Sequence, residues 1–242
     1  MTKISERGIV MTGESVRGIR ELQKTETRRV AKPQPPPCLL NEAMIAHDPA
    51  SPSGFSYISD EYDDFLLKCP WGKVGDRLYV KEVWSPGCQQ DLVDQDLRGI
   101  VYQADYTEPS PLGWKSNRFM FKWASRMYLT ITDIHPEHLQ DISWEEVWNE
   151  GVRSAAFHNL PLHLPLILED SVRRYLISAF ASYWDSLRKS PYLWDNDPVV
   201  WAIKFYLSSI YVNGEWHDKS DNQEPLGWFS RSPGQVYPGS SG

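Results

Sequence analysis

The sequence predicts an α+β fold, a small mixed β-barrel with helices packed outside it and two insertions. Three observations predict it. Short strand-like segments recur at about 25–30, 77–84, 100–104, 128–132 and 199–207. Few helical patterns interrupt them, chiefly a short capped one near 143–151 and a long amphipathic one from about Glu169 to Leu187. The chain has 242 residues at 41% hydrophobic content, enough for one sizeable core or two small ones, and its 11 Trp, 12 Tyr and 8 Phe make any core or pocket aromatic-rich.

Gly8 to Met11 is an apolar run that opens the sheet. Val16, Ile19 and Leu22 recur at helical spacing over 14–23. Then comes Lys24-Thr25-Glu26-Thr27-Arg28-Arg29, with Thr25 to Val30 alternating like a strand and β-branched at Thr25, Thr27 and Val30. A helix that hands polar side chains to the first turn of a strand gathers them at the rim of a small sheet. The other reading of this stretch is a solvated edge strand kept soluble by its charges.

Prolines at 33 and 35–37 end the strand, and 31–68 is expected to be a long loop or insertion. The Gly75-Asp76 turn introduces a strand over 77–84, with Leu78 and Val80 on one face and Tyr79, Lys81 and Val83 on the other. Ile100 to Ala104 is a further strand, 105–117 a polar loop, and Phe119 to Ile134 a longer β-like stretch with its core at 128–132. Ser143 and Glu146 form a capping box for a helix whose stripe is Trp144, Val147, Trp148 and Gly151. At about 100° per residue Glu150 borders that stripe while Glu145 and Glu146 turn to solvent, which marks Glu150 as the acid positioned for proton transfer.

Residues 152–167 are expected to be a second loop insertion, with His158 and His163 as packing or surface residues rather than ligands. On the long helix, Val172, Tyr175, Leu176, Ala179, Phe180, Tyr183 and Leu187 should fill one face. Trp194 to Pro198 is a turn, and Trp201, Ile203 and Phe205 share one side of the last strand. The expected organisation is one domain over 1–207 and a C-terminal extension over 208–242, a weakly ordered tail from about Gly214.

The net charge of −7 gives no global field for a polyanion, so nucleic acid must be met by a local basic patch. Cys38, Cys69 and Cys88 are odd in number and lack metal-type spacing, which points to free thiols in a reducing compartment. No run reaches transmembrane length and the N-terminus lacks a signal-peptide core, so a soluble cytoplasmic protein with no membrane partner, metal or cofactor is expected.

Lys24-Thr25-x-Thr27-x-Arg29 after a helix, Gly75-Asp76-x-Leu78-x-Val80, a capped helix and a closing apolar strand together resemble the ASCH family, which shares the PUA-like barrel. The wording of Lys24–Lys32, Cys69–Trp84, Trp123–Arg126, Leu139–Gly151 and Trp194–Phe205 is similar to the phage and prophage branch of that family, over about residues 8–207. Small bacterial members deacetylate N4-acetylcytidine with a Lys, a Thr and a Glu, and the resemblance implies those roles for Lys24, Thr27 and Glu150. Strand alternation alone would put Lys24 and Thr27 on opposite faces, so they converge only with Lys24 still in the turn. This chain is larger, with added segments at 31–68 and 152–190 that reshape or cover any pocket.

Three functional classes follow. An amidohydrolase acting on an acylated pyrimidine nucleoside or related modified base, its partner a nucleoside or nucleotide substrate, would use Thr27 as nucleophile, Lys24 as its base and Glu150 as proton shuttle. Trp71, Tyr79 or Trp123 would stack on the base, Arg28, Arg29 or Arg126 would hold a phosphate or carbonyl, and Lys81 would join that substrate-binding set. A non-catalytic module for RNA or single-stranded nucleic acid would instead use Lys24, Arg28, Arg29, Lys81, Lys122 and Arg126 as a basic face. A phage accessory domain would use these polar strand ends only structurally.

Overall fold

The computed structural model describes residues 4–36, 44–47, 54–58, 65–86, 99–106, 113–152, 170–212 and 214–218, and its fold is α+β. The expected insertion at 152–167 falls almost wholly outside these residues, with His158 and His163; so do Cys38, Cys88 and the tail beyond 218. Among the described residues no helix is long and apolar enough to cross a membrane.

Strand β1 (Glu6–Val10) leads to helix α1 (Gly13–Arg20), whose N-terminus Thr12 caps by accepting from the Ser15 amide. Val16 and Ile19 are the buried stripe of α1. Leu22 then takes a left-handed backbone at φ 57°, a conformation that costs a non-glycine residue roughly 1 kcal/mol. In return, the amides of Gln23 and Lys24 both close on the Gly18 carbonyl, at 2.8 and 3.0 Å. Strand β2 (Glu26–Val30) begins only after that turn, so Lys24 stands before the strand and not in it.

Strands β6 (Arg77–Lys81), β9 (Met127–His138), β10 (Val199–Val212) and β11 (Glu215–Asp218) complete the main sheet, in the order β1-β6-β9-β10-β11. β1 runs parallel to β6, while β6, β9, β10 and β11 pair antiparallel. β10 carries β9 along one edge; its other edge is shared by β2 at Val200–Lys204 and β11 at Ser209–Val212. No pairing among the described residues closes this sheet into a barrel. The sheet also runs past the boundary expected at 207, because β10 continues to Val212 and β11 pairs with it.

The stretch 31–68 is not simply a loop. Strands β3 (Met44–His47), β4 (Gly54–Ile58) and β5 (Phe65–Lys68) form a separate antiparallel sheet. Leu67 is fully buried in the main core and Phe55 meets Trp201 edge-on at 5.6 Å, so the small sheet is held by packing on the large one. β7 (Trp84–Pro86) and β8 (Ile100–Tyr102) pair over a third small core with Met120 and Ala124. The β-like stretch from Phe119 is also corrected: 3-10 turns occupy Asn117–Phe119 and Lys122–Ala124, and β9 starts at Met127. Phe119, Phe121 and Trp123 mimic a strand face by alternation, yet all three are exposed.

Helix α2 (Trp144–Asn149) carries both halves of the Ser143–Glu146 capping box, and helix α3 (Asp170–Leu187) packs against it. The buried face of α3 is Leu176, Phe180 and Trp184; Tyr175 and Leu187, expected on it, are exposed. A second core, with Leu139, Ile142, Val147 and Val200, joins the two helices to the sheet.

Candidate functional site

The turn after α1 and the C-terminal end of α2 meet. The Thr25 amide donates to the Asn149 carbonyl at 2.9 Å, and the Phe205 amide of β10 donates to the Thr25 carbonyl at 2.8 Å. That brings Lys24 against Glu150 across 126 residues of sequence, with Lys24 Nζ donating to Glu150 Oε2 and to the Glu150 carbonyl, each at 2.6 Å. Both side chains are buried, at 4% and 5% exposure. The ammonium thus also terminates α2 at the negative end of its dipole. Gly151 follows with φ 76°, and a Cβ there would stand 3.2 Å from Lys24 Cβ, so glycine serves both the helix end and the packing of the lysine stem.

Burial drives the pKa of Lys24 below its ordinary value, against the pull of Glu150. Two of the three donors of its ammonium are used by Glu150. Thr27 is 4% exposed and shares a cavity of about 170 Å³ with Lys24 and Glu150. Among the described residues no hydrogen bond joins its hydroxyl to either of them. The aromatic wall of this cavity comes from Phe180, Tyr183 and Trp184 of α3.

Arg28 lines the cavity too, but its guanidinium is committed elsewhere. Nε donates to Glu137 Oε1 at 2.6 Å, Nη2 lies 2.9 Å from Glu146 Oε2, and Nη1 lies 3.5 and 3.6 Å from Glu26 and Glu150. Burial alone would lower its pKa, but Glu137, Glu150 and Glu146 outweigh it and hold the group above its ordinary value. Arg28 is thus committed chiefly to Glu137 and Glu146; Lys24 holds Glu150 Oε2, while the buried Oε1 has no hydrogen-bond partner among the described residues. Glu146, expected in solvent, belongs to the same network and also takes the Lys204 ammonium at 3.0 Å. The reading of Lys24 to Arg29 as a solvated edge strand is overturned, since Lys24, Glu26, Thr27 and Arg28 are all at most 4% exposed.

The other expected binding residues lie elsewhere. Trp71 packs against the main core, and Tyr79 and Lys81 cover Gly8, with Lys81 Nζ donating to the Arg118 carbonyl at 2.5 Å. Trp123 stacks on Phe121 outside the molecule at 6.3 Å. Arg126 is bound bidentately to Glu82, at 2.9 and 2.8 Å, and to Asp105, with its guanidinium 4.0 Å from the centre of the Tyr102 ring. Arg28 and Arg126 are thus internal, and Lys122 pairs with Glu6, so the proposed basic face does not form. Sequence reasoning missed Arg188, Tyr183 and Trp184 as cavity residues. The apolar stripe of α3 pointed to Tyr183, but nothing in its spacing marks Arg188, one residue beyond the helix.

Among the described residues no three His, Cys, Asp or Glu side chains gather to hold a metal ion. No protein-family model matches the chain, nor does any curated protein or solved structure in the comparisons made.

Proposed function

We propose that the chain is a hydrolase of ASCH type on a PUA-like barrel, removing an acyl group from the exocyclic amine of a modified pyrimidine. The observation that carries this reading is the shared cavity of Lys24, Thr27 and Glu150. Lys24, desolvated, takes the proton of the Thr27 hydroxyl as Thr27 Oγ attacks the acyl carbon. The carbon–nitrogen bond breaks as the amine leaves with a proton delivered through Glu150. Water then splits the acyl–threonine ester, returning the hydroxyl. The ion pair between Lys24 and Glu150 pre-positions the proton path.

A nucleic-acid-binding module is the second reading. It is favoured by the exposed ridge of Phe119, Phe121 and Trp123, which has the form of a stacking platform for unpaired bases.

One variant tests both. Lys24→Arg keeps the charge and removes the accessible neutral form. On the hydrolase reading it loses N4-acetylcytidine turnover by roughly 10²–10⁴ while binding survives. Full turnover by Lys24→Arg sinks the base role. An inactive wild-type chain that binds single-stranded oligonucleotides with a steep salt dependence favours the module.

A further inference from the structure

Among the described residues, the cavity wall holds four cationic side chains, Lys24, Arg28, Arg29 and Arg188, against one carboxylate, Glu150. Two of the four are neutralised in place: Lys24 by Glu150, and Arg28 by Glu137 and Glu146. Arg29 and Arg188 are not. Arg29 Nη2 donates to the Val10 carbonyl at 2.7 Å and lies 3.1 Å from Met11 Sδ, while Arg188 Nη1 donates to the Leu187 carbonyl at 3.3 Å. The Nε atoms of both are buried and unpartnered, and no carboxylate pairs with either among the described residues. The Arg188 guanidinium lies over the Trp184 ring at 4.6 Å, which holds its plane and directs its fork.

We propose that Arg29 and Arg188 form a phosphate-binding subsite, and that the substrate of the Lys24–Thr27–Glu150 cavity is a nucleotide carrying a phosphomonoester. This rests on the hydrolase reading and names its substrate class. A phosphate dianion offers the oxygens that two guanidinium forks need, and it meets the charge that the cavity leaves uncompensated. Burial lowers the Arg29 pKa to about 10; Arg188 adds to that while Glu150 opposes it. Arg29 still carries its charge at neutral pH, beside a like charge that a bound anion would relieve. α3 supplies Tyr183 and Trp184, and Arg188 follows directly on its last residue, so aromatic surface for a base and an anchor for its phosphate come from one stretch of chain.

The test is calorimetric titration of the full chain with cytidine 5′-monophosphate, cytidine and inorganic phosphate. The monophosphate should bind roughly 10–100-fold tighter than cytidine, the gain expected of charge-assisted hydrogen bonds. Arg188→Gln should collapse that ratio toward one, and Arg188→Lys should keep part of it; both should melt as the wild type does. Equal affinity for cytidine and its monophosphate in the wild type overturns the subsite. A ratio unchanged in Arg188→Gln removes Arg188 from it. Inorganic phosphate binding as tightly as the monophosphate overturns the nucleotide assignment.

Turnover separates this proposal from the one beneath it. Hydrolysis of N4-acetylcytidine with no KM advantage for its 5′-monophosphate refutes the subsite and leaves the hydrolase. A monophosphate binding ratio lost in Arg188→Gln, with neither acetylated compound cleaved, supports the phosphate subsite and refutes the hydrolase.

Discussion

Glu82 is 1% exposed, and a carboxylate so deep is tolerable only because Arg126 meets it with two hydrogen bonds. Burial pushes Glu82 upward in pKa while Arg126 opposes it. Burial also lifts Asp105, but Arg126 and Arg20 outweigh that and hold it below its ordinary value. Arg20 closes the network by pairing with Asp105, which ties α1 to the turn after β8. Arg126→Ala should therefore cost about 3–5 kcal/mol, the price of a buried charge left without its partner, as read from urea unfolding. A loss under about 1 kcal/mol would mean that the network is solvated. Arg126 also marks the limit of reading single residues from sequence. Its charge is written there; its burial between Asp105, in the turn after β8, and Glu82, just past β6, is a property of three distant segments. The place of Glu150 at the end of a short helix could be read from local periodicity, whereas Lys24 and Thr27 were marked by the resemblance, and their shared cavity with Glu150 depends on contacts far apart in sequence.

Elements whose residues alternate or recur over many positions were the readable ones. α1, β2, β6, α2, α3 and β10 follow their periodicity within a few residues. β3, β4 and β5, of four or five residues each, carry too little repeat to stand out beside a proline run. The turns between Phe119 and Ala124 read as strand because their aromatics alternate, though they face water. β9 has a pH-dependent contact of its own. His135 lies 2.9 Å from Asp133 and 3.4 Å from Glu137, the same carboxylate that Arg28 grips. The hydrogen bond to Glu137 raises the His135 pKa above 6.5, with burial opposing and Asp133 assisting. A folded pKa above the unfolded one stabilises fully below about pH 6.5 and is lost as pH rises through the raised value. Proton NMR should find His135 titrating above 6.5, and His135→Gln should remove that part of the fall in stability. A His135 midpoint at or below 6.5 contradicts the contact.

At the scale of the whole molecule, the coarse α+β class was legible and the order of strands was not, because pairing partners far apart in sequence leave no local mark. β10 is the strand on which the order turns. It binds β9 on one edge and both β2 and β11 on the other, and its Phe205 amide holds Thr25 beside the cavity. It is also synthesised long after β2. At about 5–20 residues per second, the ribosome needs on the order of ten seconds or more to travel from β2 to the end of β10. Through that interval β2 lacks the strand it pairs with among the described residues. A nascent chain arrested before Val199 should thus be cut by protease in the β2 and β9 segments, and release past Val212 should protect both together. Protection of β2 before β10 emerges would show that another surface holds it. Until β10 emerges, Thr27, Arg28 and Arg29 of the cavity wall lack the strand that holds them, so the site is completed only once that strand is made.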